Sequence, residues 1–191
     1  MKSRICTTLI ASAVLPLALA AQTTTSASAA PAHAASTSPV ADALRQMQQR
    51  FGRILVAAAE AMPAEKYNYR PTPAQMSFAQ IQVHLANEGN DQLCSKTAGV
   101  PAPQRGAVDT TMTKDQLVAR LRETFQFCEQ AFAKLDDSKL SDPIQLFGPN
   151  PFTRAAAILI TVGDWADHYS QEANYLRLNG VLPPTAQPRS M

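Results

Sequence analysis

One stretch decides the fold: Asp164-Trp-Ala-Asp-His168-Tyr-Ser-Gln171-Glu-Ala-Asn-Tyr175-Leu-Arg177-Leu-Asn-Gly180. It contains no proline and ends at Gly180, shortly before Pro183 and Pro184, which is typical of a helix that stops at a glycine. Asp164 and His168 are four residues apart, so on a helix their side chains share one face, one turn apart. The stretch therefore predicts a long helix that presents a carboxylate and an imidazole together.

Three further segments carry apolar residues at three- and four-residue steps, the spacing of an amphipathic helix. With the opening stretch, the predicted helices cover about 39–61, 77–96, 114–135 and 152–179. Ser77 and Thr113 stand where N-caps are expected. No strand pattern, glycine-rich phosphate loop or internal repeat occurs in the sequence. We therefore predict an all-α protein, with a four-helix bundle as its architecture.

The first 20 residues have the pattern of a secretory signal peptide. Lys2 and Arg4 form a positive n-region, an apolar run follows, and Ala18-Leu-Ala20 supplies the small residues before a cleavage site. The apolar run is shorter than the roughly 20 residues of a transmembrane anchor. We therefore expect cleavage near Ala20, a periplasmic or secreted protein, and no membrane attachment after cleavage.

The rest of the chain divides by composition. Residues 21–38 are rich in Ala, Ser and Thr and contain no aromatic residue and no Lys, Arg, Asp or Glu, so they predict a disordered linker. The helical pattern then predicts one domain over residues 39–185, followed by a tail over residues 186–191.

The charge balance argues against a nucleic-acid partner. The net charge is +2, but two of the 17 basic residues, Lys2 and Arg4, belong to the predicted signal peptide. The remaining 15 basic residues equal the 15 acidic residues in number. The mature chain therefore lacks the basic excess that binding to nucleic acid or anionic lipid requires.

A divalent-metal site is one interpretation of the histidines. His84, at the inward edge of the second predicted helix, is the best donor to add to Asp164 and His168. Two imidazoles and one carboxylate leave coordination positions open, as catalytic rather than structural sites do. The set suits zinc, nickel, manganese or ferrous iron, and a bound water would have its pKa lowered toward about 7.

Two other interpretations of the same residues remain open. A single histidine at the inward edge of a helix is often a hydrogen-bonded core residue, which would account for His84. Asp164 and His168 could form an ordinary i,i+4 ion pair, because such a short motif has many chance matches.

The chain resembles the DinB-like superfamily from about residue 40 to residue 185. The positions that match the family's last-helix pattern are His168, Gln171, Tyr175, Leu176, Arg177, Gly180, Pro183 and Pro184. An upstream set that resembles the start of the family's second helix is Met62-Pro63, Tyr67, Arg70-Pro71, Ser77-Phe78 and His84. These motifs are short, but their order and separation agree with the family.

The resemblance implies a bundle with up-down-down-up topology, a long crossover between helices two and three, and a divalent metal held by three histidines. His84 and His168 match two of the ligand positions. The third, usually histidine, is Asp164 here. Because aspartate binds the same ions through an oxygen, the resemblance implies a site with two histidines and one carboxylate.

The family topology also bears on the two cysteines outside the predicted signal peptide, Cys94 and Cys128. If helices two and three ran antiparallel, these residues would lie at different levels of the bundle. The parallel arrangement implied by the resemblance brings them to similar levels, each about 14 to 17 residues into its helix. On that basis we predict a Cys94–Cys128 disulfide, which suits an exported chain.

The resemblance implies an enzyme without naming its reaction. Characterised relatives include thiol-dependent transferases and isomerases, whereas export of this chain favours hydrolysis or another metal-water reaction on a small molecule. Glu88 is a conceivable acid–base residue, and Gln171 and Tyr175 continue the Asp164–His168 face. The alternative is a non-catalytic metal- or ligand-binding protein of the cell envelope. Homodimers occur in the superfamily, so a homodimer is possible.

Overall fold

The computed structural model describes residues 36–188, apart from the side chains of residues 88 and 89. The predicted signal peptide and nearly all of the predicted linker lie outside these residues. Between residues 36 and 188 the chain forms α1 (Pro39–Ala61), α2 (Phe78–Ala86), α3 (Glu88–Ala98), α4 (Lys114–Phe132) and α5 (Arg154–Leu178). The described part is therefore all-α apart from one minimal strand pair. No helix in it combines the length and apolarity needed to cross a bilayer.

Helix α1 has the predicted bounds. Pro39 stands in its first turn, where a missing N–H costs nothing. The side chain of Asp137 accepts hydrogen bonds from the backbone N–H groups of Val40 and Ala41, at 2.9 and 2.8 Å. A distant carboxylate therefore caps α1 and joins its start to the segment after α4.

The predicted second helix is two helices. Asn87 adopts extended backbone geometry, with φ −78° and ψ 168°, and ends α2 before α3 begins. The side chain of Asn90 donates to the backbone oxygen of Leu85 at 2.6 Å and so satisfies a carbonyl at the end of α2. Asparagine competes for backbone hydrogen bonds in this way, and Gly89 further weakens the helix. The prediction of one continuous helix over 77–96 was wrong at this point.

Helices α3 and α4 run in the same direction and are joined by the predicted disulfide. Thr124 of α4 donates to the backbone oxygen of Ala86, and Cys128, one turn later, is bonded to Cys94 with a Cα–Cα distance of 5.2 Å. Contacts that advance together along both segments require parallel helices. The long connection over residues 99–113 makes this possible, as predicted, whereas the up-down-down-up order of the whole bundle stays a prediction.

Helix α5 starts and stops on local signals. The side-chain oxygen of Thr153 accepts from the backbone N–H of Ala156 at its start. At its end Gly180 has φ +74°, and the backbone N–H of Val181 donates to the oxygen of Leu176 at 2.9 Å. This is the left-handed glycine termination that the sequence predicted.

A short strand pair precedes α5. β1 (Pro143–Ile144) pairs antiparallel with β2 (Phe152–Thr153). The sequence predicted no strand here, and it assigned residues 152 and 153 to the start of the last helix. Two residues per strand are too few to give an alternating pattern.

Trp165 lies at the centre of the core and is fully buried. Its ring contacts Phe51 of α1 and both Phe125 and Phe132 of α4, with ring centroids 5.5 to 6.4 Å apart. Its indole N–H donates to the side-chain oxygen of Asn90 in α3 at 3.1 Å. One side chain of α5 therefore connects three other helices and fixes how α5 is rotated.

Candidate metal site

Helix α2 places His84 at the edge of the core. The helix begins with a capping box, in which the Ser77 hydroxyl accepts from the Gln80 N–H and the Gln80 side chain accepts from the Ser77 N–H. Ile81 and Leu85 are completely buried. His84, between them on the helix surface, is left half-exposed, with 51% of its side chain accessible.

Helix α5 places Asp164 and His168. Asp164 directly precedes the buried Trp165, so the packing of the tryptophan sets the direction of its neighbour. His168 follows one turn later and is only 8% exposed at its side chain, against 26% for Asp164. Solvent exposure therefore increases across the cluster, from the buried His168 through Asp164 to the half-exposed His84.

The three predicted ligands come together around one carboxylate oxygen. Oδ1 of Asp164 lies 3.5 Å from Nε2 of His84 and 3.4 Å from Nε2 of His168. One ligand atom from each residue can be chosen so that all three lie within 4.8 Å of one another. The rings of His84 and His168 are 4.5 Å apart between centroids.

These distances suit a metal ion. Zinc lies about 2.0–2.2 Å from nitrogen and oxygen ligands, so two ligands of a tetrahedral site are about 3.4 Å apart. Oδ2 of Asp164 and Nδ1 of His168 are buried without a hydrogen-bond partner among residues 36–188. An unpartnered carboxylate oxygen beside two imidazoles is costly unless a cation compensates it. The His84–Asp164–His168 cluster therefore could hold a metal ion.

The electrostatics of the cluster depend on Asp164. Burial by itself would raise the pKa of Asp164, but hydrogen bonds from His168 and His84 outweigh it and hold that pKa well below its usual value. The hydrogen bond with Asp164 in turn raises the pKa of His84, with burial acting in the opposite direction. Asp164 is thus ionised at neutral pH and attracts cations to this site.

The weaker predicted site residues have other surroundings. Gln171 donates to the side chain of Asp167 at 2.8 Å, and the hydroxyl of Tyr175 donates to the backbone oxygen of Met76 at 2.9 Å. Both line a groove of about 400 Å³ between α5 and the segment before α2. Glu88 begins α3, but its side chain lies outside the described residues.

The sequence reasoning missed a second polar pair between the same two helices. Glu172 of α5 and Gln82 of α2 are both fully buried, and Gln82 Nε2 donates to Glu172 Oε1 at 2.6 Å. A signal was present, because Asp164, His168 and Glu172 recur at four-residue steps. Polar residues at that spacing share a helix face, so Glu172 was an inward candidate.

Comparison with known proteins agrees with this architecture. The family model of the DinB superfamily matches residues 43–171, which is more than half of the chain and includes all three residues of the cluster. The chain belongs to the DinB superfamily. The resemblance predicted from the sequence is therefore confirmed. None of the curated proteins matches the chain.

Two solved structures share the fold of this DinB superfamily member. A DinB-like protein from Bacillus subtilis is 16% identical with a TM-score of 0.61, covering 78% of this chain and 99% of that one. A DinB-like protein from Bacillus cereus is 13% identical with a TM-score of 0.62, covering 75% of this chain and 95% of that one. At such low identity the likeness shows the fold alone.

Proposed function

We propose that the chain binds one divalent metal ion through His84, Asp164 and His168 and uses it to act on a small molecule by hydrolysis or group transfer. One observation carries the proposal: ligand atoms from two separate helices lie within 4.8 Å of one another, and the second oxygen of the Asp164 carboxylate, Oδ2, is buried without a hydrogen-bond partner. Family membership supports it, because the superfamily resemblance implies a metal at these positions.

The donor set limits the ion. Two imidazoles and one carboxylate suit zinc, nickel, manganese or ferrous iron. A bound ion of this kind lowers the pKa of coordinated water and polarises carbonyl or phosphoryl groups. The protein supplies the geometry: Trp165 fixes α5, and the buried His168 closes the inner side of the site. A small substrate would approach from the side of His84, the most exposed of the three residues.

The proposed extracellular location favours hydrolysis over a thiol-dependent reaction. The Cys94–Cys128 disulfide is compatible with an extracellular location, because disulfides persist in oxidising compartments. A reduced thiol cofactor is scarce in such compartments, whereas water is always present. The signal peptide itself remains a proposal, and N-terminal sequencing of the mature protein tests it. Sedimentation in solution tests the proposed homodimer.

The first test is metal content measured on purified mature protein and on His84→Ala, Asp164→Ala and His168→Ala variants. Asp167→Asn is the matched control, because Asp167 is an exposed carboxylate on the same helix, paired with Gln171. We expect about one divalent ion per chain in the parent and the control. Each of the three variants should lose it. Equal metal content in all five proteins would refute the site.

Catalysis is tested separately. The metal-loaded protein is screened against ester, amide and phosphoester substrates, beside the His84→Ala variant. Turnover that depends on both the ion and His84 supports the enzyme. Tight retention of the ion without turnover of any substrate class would instead favour a non-catalytic metal-binding protein of the envelope.

A further inference from the structure

A buried carboxyl–amide pair joins the two helices that carry the candidate ligands. Glu172 lies one turn after His168 on α5, and Gln82 lies two residues before His84 on α2. Neither Glu172 nor Gln82 has any solvent-accessible surface. The hydrogen bond of 2.6 Å from Gln82 Nε2 to Glu172 Oε1 is thus made entirely inside the core.

The hydrogen-bond inventory of this pair is incomplete if Glu172 is ionised. Glu172 Oε2 and Gln82 Oε1 have no partner within residues 36–188. An ionised carboxylate can only accept, and the amide oxygen can only accept, so they cannot satisfy each other. A single proton on Glu172 Oε2 would give both atoms a partner. The resulting O–H could donate to Gln82 Oε1, while the Gln82 amide N–H donates to Glu172 Oε1.

The surroundings offer no positive charge to compensate an ionised Glu172. Burial raises the pKa of Glu172 to about 8, against the opposing effect of the Gln82 hydrogen bond, and no cationic side chain of the described chain contributes. The group that faces it from the segment after α1 is Tyr67, whose hydroxyl donates to the backbone oxygen of Ala59 at 2.7 Å. Burial raises the pKa of Tyr67 as well, so it stays neutral. His84 and His168 direct Nε2 to Asp164 instead.

We propose that Glu172 is a neutral carboxylic acid in the folded protein, paired reciprocally with Gln82, and that loss of its proton to solvent sets an alkaline limit to the stability of the bundle. The proposal does not depend on a bound metal. It gives the pair a positioning role, because the two hydrogen bonds tie α5 to α2 close to the His84–Asp164–His168 cluster.

The pH dependence has a definite sign. Because folding raises the pKa of Glu172 from 4.5 to about 8, the folded state binds the proton more tightly than the unfolded state. The stabilising contribution is therefore complete below about pH 4.5 and is lost as the pH rises through about 8. The pKa of His84 is raised as well, so the effect of Glu172 must be isolated by comparing variants.

Glu172→Gln is the decisive variant. A glutamine has the same shape and can keep both hydrogen bonds to Gln82, but it cannot ionise. Glu129→Gln is the matched control, because the exposed Glu129 also accepts from a glutamine, Gln49, at 3.2 Å. Thermal midpoints are measured from pH 5 to pH 9 on full-length mature protein with a chelator present.

We expect the midpoint of the parent to fall by about 8–15 °C relative to Glu172→Gln between pH 5 and pH 9. The Glu129→Gln curve should run parallel to that of the parent. Parallel curves for the parent and Glu172→Gln would overturn the proposal, because then no proton on Glu172 is linked to folding.

Infrared spectroscopy of the parent gives a second measurement that needs no folded variant. A protonated carboxylic acid has a carbonyl band distinct from that of a carboxylate. We expect this band in the folded parent at pH 6 to 7, where exposed carboxyls are ionised, and its loss above pH 9. Absence of the band at pH 6 would overturn the proposal by itself.

Discussion

At the scale of single residues, Asp164 is the side chain on which the candidate site depends. It is the only one of the three that contacts both others through one atom, Oδ1. Its negative charge holds the two imidazoles together in the absence of a metal. At the position where the family pattern has a third histidine, this carboxylate therefore brings a negative charge to the candidate site as well as a candidate ligand atom.

This role predicts the protonation of His84 in the metal-free protein. Its hydrogen bond with Asp164 is the main cause of the raised pKa. In Asp164→Asn the charge is gone and burial remains, so we expect the pKa of His84 to fall to its ordinary value of 6.5 or below. NMR titration of the imidazole resonances measures this. Asp167→Asn should leave the titration unchanged, and an unchanged pKa in Asp164→Asn would contradict the geometry.

At the scale of helices, the ends were predictable and the interruption was not. The two N-caps, Ser77 and Thr113, and the helix-ending Gly180 can be predicted from the neighbouring sequence. Capping and left-handed termination depend on residues only a few positions apart. The break at Asn87 depends on Asn90 reaching back to Leu85, a bond that competes with a helical pattern continuing on both sides. The periodicity of apolar residues alone could not distinguish one continuous helix from two helices broken at Asn87.

Two glycines, Gly163 inside α5 and Gly180 just after its end, should respond in opposite ways to substitution by alanine. Gly163 is exposed within the helix, and an added Cβ would meet no atom within 4 Å. Gly163→Ala should therefore stabilise the protein by about 0.5–1 kcal/mol. Gly180 has equally open space but φ +74°, so Gly180→Ala should destabilise it by about 1–2 kcal/mol. Urea unfolding measures both. An unchanged or increased stability in Gly180→Ala would show that a side chain does not strain the backbone there, and a loss of stability in Gly163→Ala would contradict the gain expected inside the helix.

The disulfide makes a prediction for the α3–α4 pair. Cys94 and Cys128 are 34 residues apart in sequence, and closing a loop of that length stabilises the fold by about 4 kcal/mol in the chain-entropy model. A Cys94→Ala/Cys128→Ala double variant should lose a stability of this order in urea unfolding. Reductant should have no further effect on that variant. A parent and double variant with the same unfolding midpoint would show that helix packing, rather than the crosslink, holds α3 against α4.

At the scale of the whole molecule, the sequence predicted the site better than the core around it. His84, Asp164 and His168 could be predicted because they belong to a family-like motif and have side chains that bind metals. The fold brings them within reach of one ion. The Glu172–Gln82 pair belongs to no such motif, and a glutamate or a glutamine on an amphipathic helix is usually exposed to solvent. Only the packing of α2 against α5 shows that these two polar side chains are enclosed, because burial is a property of the assembled bundle.

Metal binding should be visible in the stability of the whole fold and should depend on pH. At a free metal concentration 100 times the dissociation constant, binding stabilises the folded state by about 2.7 kcal/mol, or about 5–10 °C in a domain of this size. Protons compete with the ion for the imidazole nitrogens. Since the pKa of His84 is raised above 6.5, this competition should begin above that pH.

We therefore expect the metal-induced rise in thermal midpoint to be largest near pH 8 and to shrink steadily toward pH 5, as His84 gains its proton. His84→Ala should show little rise at any pH, and Asp167→Asn should follow the parent. A rise that stays constant from pH 8 to pH 5 would place the stabilising ion on carboxylates rather than on the histidines. A rise that persists in His84→Ala would place it away from α2, because His84 is the one ligand of the cluster that α2 contributes.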